Sequence, residues 1–169
     1  MNDFEKYIKR YLDLIPSENW MEELKIVGDE TLEIYHQITE EQANFAYAPE
    51  KWTLKKLLQH LIDTEKIFGY RALRFARKDE TELAGYDENW FADHDFVDTK
   101  KLQRLIFEFD CNRQASLLFF EPLNAEQLNG KGIANHSEIS VQTLGKLLVG
   151  HNIHHLNIIK ERYLPLLNK

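Results

Sequence analysis

Apolar side chains recur every three to four positions along most of this 169-residue chain, which is the spacing of amphipathic helices and not of strands. Ser17 and Thr53 are predicted N-caps, because each precedes an apolar stripe and carries a hydroxyl that can accept a backbone hydrogen bond. Pro165 is expected to end the last helix. The predicted helices cover about 2–14, 17–38, 53–75, 99–120 and 140–164.

The four longer stretches predict the architecture. Helices of comparable length with one apolar stripe each can bury those stripes against one another. With 43% hydrophobic and 12% aromatic residues, the chain has enough apolar side chains to fill one core. The predicted fold is therefore all-α: a four-helix bundle with an extra short N-terminal helix and two long loops, formed by residues 1–169 as a single domain.

Two connections are too long for simple turns and are expected to form the walls of a binding site. Residues 79–98, the acidic loop, contain eight acidic side chains. Residues 121–139 include Asn129-Gly130-Lys131-Gly132, which is predicted to form a tight turn in a short hairpin. The acidic loop also carries four aromatic residues that can anchor it: Tyr86, Trp90, Phe91 and Phe96.

Charge and cysteine content exclude several classes of protein. A net charge of -7 disfavours binding to nucleic acid or to an anionic membrane surface, because both need a clustered basic face. Cys111 is the only cysteine, which excludes a cysteine-ligated zinc site, and it is expected to be a small core residue. No apolar run approaches the length of a membrane span, and the first ten residues lack the apolar core of a signal peptide, so a cytoplasmic protein is expected.

His151 and His155 are the main candidates for chemistry. Their i,i+4 spacing places both imidazoles on one side of a helix, and that side continues the apolar stripe of Leu144 and Ile158. His60 can face the interior from another helix, and three imidazoles on one metal ion would leave coordination positions open. An open metal site of this kind is typical of catalysis.

Spacing alone leaves an alternative open. A buried histidine is often a core residue whose ring nitrogens find hydrogen-bond partners, whereas two inward histidines one turn apart are more easily satisfied by one metal ion. The periodicity does not establish which helices are neighbours, so the participation of His60 is a hypothesis. His154 is expected to point elsewhere, as a surface residue or a support behind the ligands. The other histidines lack ligand spacing: His36, His94 and His136.

Three blocks of sequence resemble the DinB superfamily. They are Lys51-Trp52-Thr53 with Leu57-Leu58-Gln59-His60-Leu61-Ile62-Asp63, then Gly85-Tyr86-Asp87-Glu88 with Trp90, and finally Gly150-His151-Asn152-Ile153-His154-His155-Leu156. Within that superfamily they resemble the YfiT-like branch of bacterial metal-dependent hydrolases and bacillithiol S-transferases. The resemblance implies a four-helix bundle that holds zinc or nickel through three histidines, matched here by His60, His151 and His155.

The resemblance also implies an activity and a homodimer. Related enzymes attach a low-molecular-weight thiol, such as bacillithiol, mycothiol or glutathione, to an electrophile. A metal held by three neutral imidazoles keeps its positive charge, so it can lower the pKa of a bound thiol or water. Thiol S-transfer is therefore the first hypothesis for the reaction, and hydrolysis is the second. The alternative from another class is a non-catalytic bundle, either a stress-linked small-molecule-binding protein or a structural dimer with vestigial histidines.

Two carboxylates are further candidates. Asp63 follows His60 by three positions and is either a proton carrier near the metal or a solvated charge. Asp87 matches the family pattern and either anchors the acidic loop over the site or is one turn-forming aspartate among many. Tyr86 and Trp90 fit two roles, as walls of a pocket for an apolar electrophile or as anchors of that loop.

Overall fold

A computed structural model of the protein describes residues 3–167 and is mainly helical. Its helices are α1 (Asp3–Leu12), α2 (Trp20–His36), α3 (Glu40–Ala43), α4 (Leu54–Ala76), α5 (Glu88–Asp93), α6 (Leu102–Phe120), α7 (Ala125–Leu128), α8 (Val141–Ile158) and α9 (Leu164–Leu167). Its strands are β1 (Lys131–Ala134) and β2 (Ser137–Ser140).

Four of these helices form a bundle. α4 packs against α6 and α8, and α2 packs against the same two helices, while α1 lies on α8. The predicted four-helix bundle with an extra N-terminal helix is therefore confirmed. Every helix within residues 3–167 is too short or too polar to cross a membrane. The largest fully buried aromatic side chains in the core are Tyr35, Phe75, Phe109, Phe120 and Tyr163.

Side chains that accept backbone hydrogen bonds set the starts of the long helices. Thr53 caps α4 as predicted, through a bond of 3.2 Å from the Lys56 N–H. The prediction of Ser17 as the cap of α2 is wrong, because Asn19 holds that position directly before the buried Trp20. Ser17 instead accepts a hydrogen bond from the backbone N–H of Asn19. Asparagine caps a helix as well as serine does, so the residue adjoining the apolar stripe takes the position.

The chain passes Pro165 without ending its helical course, contrary to the prediction. α8 ends at Ile158, a π-helical turn follows over Ile159–Tyr163, and α9 contains the proline. In that wider turn the Leu164 N–H bonds to the carbonyl of residue 159. Pro165 is the second residue of α9, directly after this wider turn, so the helical course bends to a wider spacing just before the residue that has no N–H to donate.

Both long connections contain regular structure. The acidic loop includes α5 and most of a 3₁₀ turn at Val97–Thr99, and residues 121–139 include α7 and most of the hairpin. The two connections meet where Leu83 forms an isolated parallel bridge with Ala134. Each loop is therefore held in part by the other.

The hairpin is present as predicted, but its turn lies elsewhere. β1 and β2 pair antiparallel, and the two residues between them are Asn135 and His136, with φ of 50° and 60°. Two successive left-handed residues are the mark of a type I′ turn, in which asparagine is favoured. Gly132, in the segment predicted to turn, serves a close approach instead, because a Cβ there would lie 2.1 Å from the Phe75 ring.

A buried polar network joins the four bundle helices. Arg113 of α6 donates hydrogen bonds from Nε and Nη2 to the Glu65 carboxylate of α4, each 2.9 Å long. Its Nη1 donates to the Leu24 carbonyl of α2 (2.7 Å), and its Nη2 also donates to Asn152 Oδ1 of α8 (2.9 Å). The Asn152 amide donates in turn to Thr31 Oγ1 of α2 (2.9 Å). The network therefore fixes the alignment of all four helices.

We expect Arg113→Met to lower the free energy of unfolding by about 3–5 kcal/mol, because it leaves the Glu65 carboxylate buried without its charged partner. Combining it with Glu65→Leu removes both charges and should restore part of the loss. Denaturant unfolding of the wild type and both variants measures these differences. As a control, Lys78→Met breaks an exposed pair with Glu126 and should leave the unfolding midpoint unchanged. Wild-type stability in Arg113→Met would contradict the role assigned to the network.

Candidate metal centre

Three imidazoles meet between α4 and α8. His60 lies in the second turn of α4, and His151 and His155 lie one turn apart in α8. The Nε2 atom of His151 is 2.9 Å from His60 Nε2 and 3.1 Å from His155 Nε2. One ring nitrogen from each of the three residues lies within 4.8 Å of the other two. The packing of α4 on α8 therefore brings together the three histidines that the sequence singled out.

Burial keeps these imidazoles neutral, since none of the three is more than 9% exposed. Burial lowers the pKa of His60 to about 4, with a further contribution from His154. It also lowers the pKa values of His151 and His155 well below the usual range, and neighbouring imidazoles add to the effect. Neutral rings present the lone pairs that a metal ion needs.

The donor set fits a divalent transition metal. Zinc and nickel both accept imidazole nitrogen, and three such ligands leave positions for water or substrate. His151 Nε2 faces two other ring nitrogens, and one nitrogen cannot make a full hydrogen bond to both. A cation between the rings would instead take a lone pair from each. The three buried nitrogens thus fit a metal ion better than they fit one another.

Aromatic rings from outside the bundle enclose the histidines. Trp52, just before α4, packs on His60 with ring centroids 4.9 Å apart, and Tyr11 of α1 meets the His151 ring at 5.5 Å. Sequence reasoning missed both contacts. A signal for the second was present in Gly150, the residue before His151. A Cβ there would lie 2.2 Å from the Tyr11 carbonyl oxygen, so only glycine lets α1 approach α8 this closely.

Asp63 lies beside the histidines. It is half-buried, it lines a small pocket together with His60, and its Oδ1 accepts a hydrogen bond from Gln59 Nε2 (2.8 Å). Burial raises the pKa of the Asp63 carboxyl. Phe91 and Ala92 of α5 line the same pocket. A carboxyl group at this position is able to exchange a proton with a ligand of the histidine site.

Asp87 is the N-cap of the helix that covers this pocket. Its exposed carboxylate accepts hydrogen bonds from the N–H groups of Asn89 and Trp90, at 2.9 and 3.1 Å. These bonds favour the role of a loop anchor. The Trp90 side chain is 63% exposed and stacks on His94, while Tyr86 is half-buried and lines the pocket beside the histidines.

The remaining histidines and the cysteine lie outside the cluster. His154 is half-buried and packs its ring against His155, with centroids 5.1 Å apart. Cys111 is exposed, so the prediction of a core residue is wrong. It lies two positions after the buried Phe109, which is about 200° around the axis of α6. Three histidines without ligand spacing are exposed: His36, His94 and His136.

The lowered pKa values predict that mild acid destabilises the metal-free protein. Below about pH 6.5 the unfolded chain protonates these histidines, whereas the folded chain holds His60 neutral to about pH 4 and holds His151 and His155, with pKa values well below the usual range, neutral as well. The unfolded state then binds more protons than the folded state. The free energy of unfolding therefore decreases as the pH is lowered, by up to about 1.4 kcal/mol per pH unit for each histidine. Urea unfolding of chelator-treated protein at several pH values between about 7.5 and about 5 measures this slope.

His151→Gln should flatten this pH dependence, because it removes one of the groups that titrate only in the unfolded state. His36→Gln is the matched control, since that histidine is exposed, and it should keep the wild-type slope. Identical slopes in His151→Gln and wild type would show that the buried imidazoles are not the cause.

Comparison with known proteins assigns the family. The model of the DinB superfamily matches residues 23–159, from α2 to just beyond α8. Among solved structures, YfiT from Bacillus subtilis, described as a probable metal-dependent hydrolase with an unusual four-helix bundle topology, has a TM-score of 0.71 at 19% identity, over 87% of this chain and 90% of that chain. No curated protein matches the sequence significantly. The matched segment contains all three histidines of the cluster, and the bundle is shared with YfiT. This chain therefore belongs to the DinB superfamily.

Proposed function

We propose that this protein is a metal-dependent enzyme that transfers a low-molecular-weight thiol to an electrophilic small molecule, with His60, His151 and His155 holding zinc or nickel. The observation that carries the proposal is the meeting of three neutral imidazole nitrogens at one buried point. A metal bound there supplies a positive charge that lowers the pKa of a thiol or water and so provides a nucleophile at neutral pH.

The chain's own groups support the rest of the reaction. In our proposal Asp63 accepts the thiol proton while the sulfur forms its bond to the electrophilic carbon, and the leaving group departs from that carbon with the electron pair of the broken bond. The half-buried position of this carboxyl beside His60, and its raised pKa, support that role. Phe91 and Ala92 cover the pocket and limit the entry of bulk water. Asp87 contributes through the hydrogen bonds that hold α5 over the site.

Hydrolysis is the second candidate, and two observations favour it. The pocket beside His60 has a volume of 10 Å³, which suits about one water molecule. YfiT, which shares the fold, is described as a probable metal-dependent hydrolase. In this reaction water replaces the thiol: its oxygen bonds to the electrophilic carbon, Asp63 accepts one of its protons, and the leaving group departs with the electron pair of the broken bond. A homodimer stays a prediction from the family resemblance.

We expect protein purified without a His tag or a nickel column to contain about one zinc or nickel ion per chain. His60→Ala, His151→Ala and His155→Ala should each lower the bound metal more than about tenfold, because each removes one of the three converging nitrogens. Elemental analysis by mass spectrometry, with circular dichroism as a check on folding, measures the result.

His154→Ala is the matched control, because its ring lies on the same helix but outside the cluster, and it should retain the metal. Folded wild-type protein that takes up neither zinc nor nickel would overturn the enzymatic proposal. It would favour the non-catalytic small-molecule-binding bundle.

The reaction is tested with metal-loaded protein, a chlorodinitrobenzene as the electrophile, and bacillithiol, mycothiol or glutathione. We expect thiol adducts that disappear after chelation, identified by mass spectrometry. Asp63→Asn should slow their formation by about 10²–10⁴-fold with unchanged metal content, because it removes the proton acceptor. Asp98→Asn, an exposed change in the 3₁₀ turn, should have no effect. Water adducts would select hydrolysis, and adduct formation that survives metal removal would contradict both reactions.

A further inference from the structure

A cavity of 510 Å³ lies between α1, α4, α8, the acidic loop and the hairpin. Tyr86 and Glu88 line both this cavity and the small pocket beside His60. Much of the remaining wall is apolar, including Phe68 of α4 and Leu147 of α8, and Leu147 lies one turn before His151. The volume is that of a site for a small organic molecule.

Among the side chains that the structure describes, one cation lines this cavity. Arg71 of α4 is only 8% exposed. Its Nη2 donates a hydrogen bond of 2.8 Å to the Ala84 carbonyl, and its guanidinium lies over the Phe68 ring. No carboxylate whose side chain the structure describes forms an ion pair with it, in contrast to Arg113, which is paired with Glu65. A guanidinium has five N–H donors, so most of the hydrogen-bonding capacity of Arg71 is open to a ligand.

The groups that face Arg71 are donors rather than counter-ions. Tyr7 and Tyr86 line the cavity together with Arg71, and burial raises the pKa of both phenols, so they remain neutral. The Tyr86 hydroxyl shares a hydrogen bond with Thr64 Oγ1 (2.9 Å). Glu88 is the one carboxylate with a described side chain that lines the cavity, and it is exposed. A buried positive charge flanked by hydroxyl donors is suited to an anion, and a planar carboxylate matches the guanidinium fork.

We propose that this cavity binds the carboxylate of a small organic acid through Arg71, and that the rest of the molecule extends along α4 and α8 toward His60. The inference rests on the proposed function and narrows its substrate class, because the carboxylate belongs either to the thiol or to the electrophile. Arg71 follows His60 by eleven residues, which is about 16 Å along the axis of α4. The cavity and the pocket beside His60 share Tyr86 and Glu88, so a molecule held at Arg71 is directed toward the histidine site.

Two matched pairs of probes test the site by calorimetry on the full-length protein. The first pair is 3-phenylpropionate and its amide, and the second is 3-mercaptopropionate and its amide, so each pair differs in charge but hardly in size. We expect the acid of at least one pair to bind about tenfold or more tightly than the amide, and Arg71→Gln to abolish the difference. A preference confined to the thiol pair assigns the carboxylate to the thiol. A preference shown by the thiol-free pair assigns it to the electrophile.

Arg74→Gln is the matched control, because Arg74 lies one turn further along α4 and pairs with Asp79 outside the cavity, so it should keep the preference for the acid. Arg71→Lys retains the charge and serves if Arg71→Gln does not fold, and it should keep part of the preference. Equal binding of acid and amide by the wild type, in both pairs, would overturn the inference, as would an unchanged preference in folded Arg71→Gln. The measurement needs neither turnover nor metal, so its failure is distinct from failure of the proposed reaction.

Discussion

The buried ion pair between Arg113 and Glu65 is the constraint on which the arrangement of the bundle depends. Neither charge can be left unpaired in the core, and the guanidinium reaches partners on three other helices, so sliding or rotating any one of them would break a buried hydrogen bond. Gly28 leaves room for the Arg113 side chain, because a Cβ at position 28 would lie 2.5 Å from Arg113 Nη1. Asn152 accepts one of these bonds and directly follows His151, so the same network sets the rotation of α8 that turns this imidazole toward α4.

The chemistry of the site depends on elements outside the four bundle helices. α1 reaches the histidines because Gly150 allows its backbone close to α8, and α5 is held over the pocket by the Asp87 cap. The bridge from Leu83 to the hairpin ties the acidic loop to the second long connection. Together these segments exclude water, and dehydration is the main cause that keeps the imidazoles neutral and able to bind a metal. The family's shared bundle is therefore only the scaffold of the site.

Much of the fold could be predicted because helices depend on local signals. The apolar period and the Thr53 cap led to α1, α2, α4 and α6 within a few residues, whereas the short helices α3, α5 and α7 were not predicted. The errors arose where two local signals competed or where a distant contact decided. Asn19, and not Ser17, is the cap of α2. The hairpin turns at Asn135–His136 and not at the predicted glycine-containing segment, because Gly132 lies directly against the Phe75 ring. Phe109 and Arg113 are buried, and this sets the rotation of α6 about its axis. Cys111, which lies between them in the sequence, therefore points outward.

The sequence by itself determined the helices, and it determined that His151 and His155 share one helical face, because a 3.6-residue period fixes the relative direction of side chains four positions apart. Only the tertiary structure decided that His60, separated by 91 positions from His151, meets that pair, and that Arg71 is buried beside a cavity. Which helices become neighbours depends on how apolar faces and buried charges fit together across the whole core. That fit is a property of the packed bundle, and no local stretch of sequence contains it.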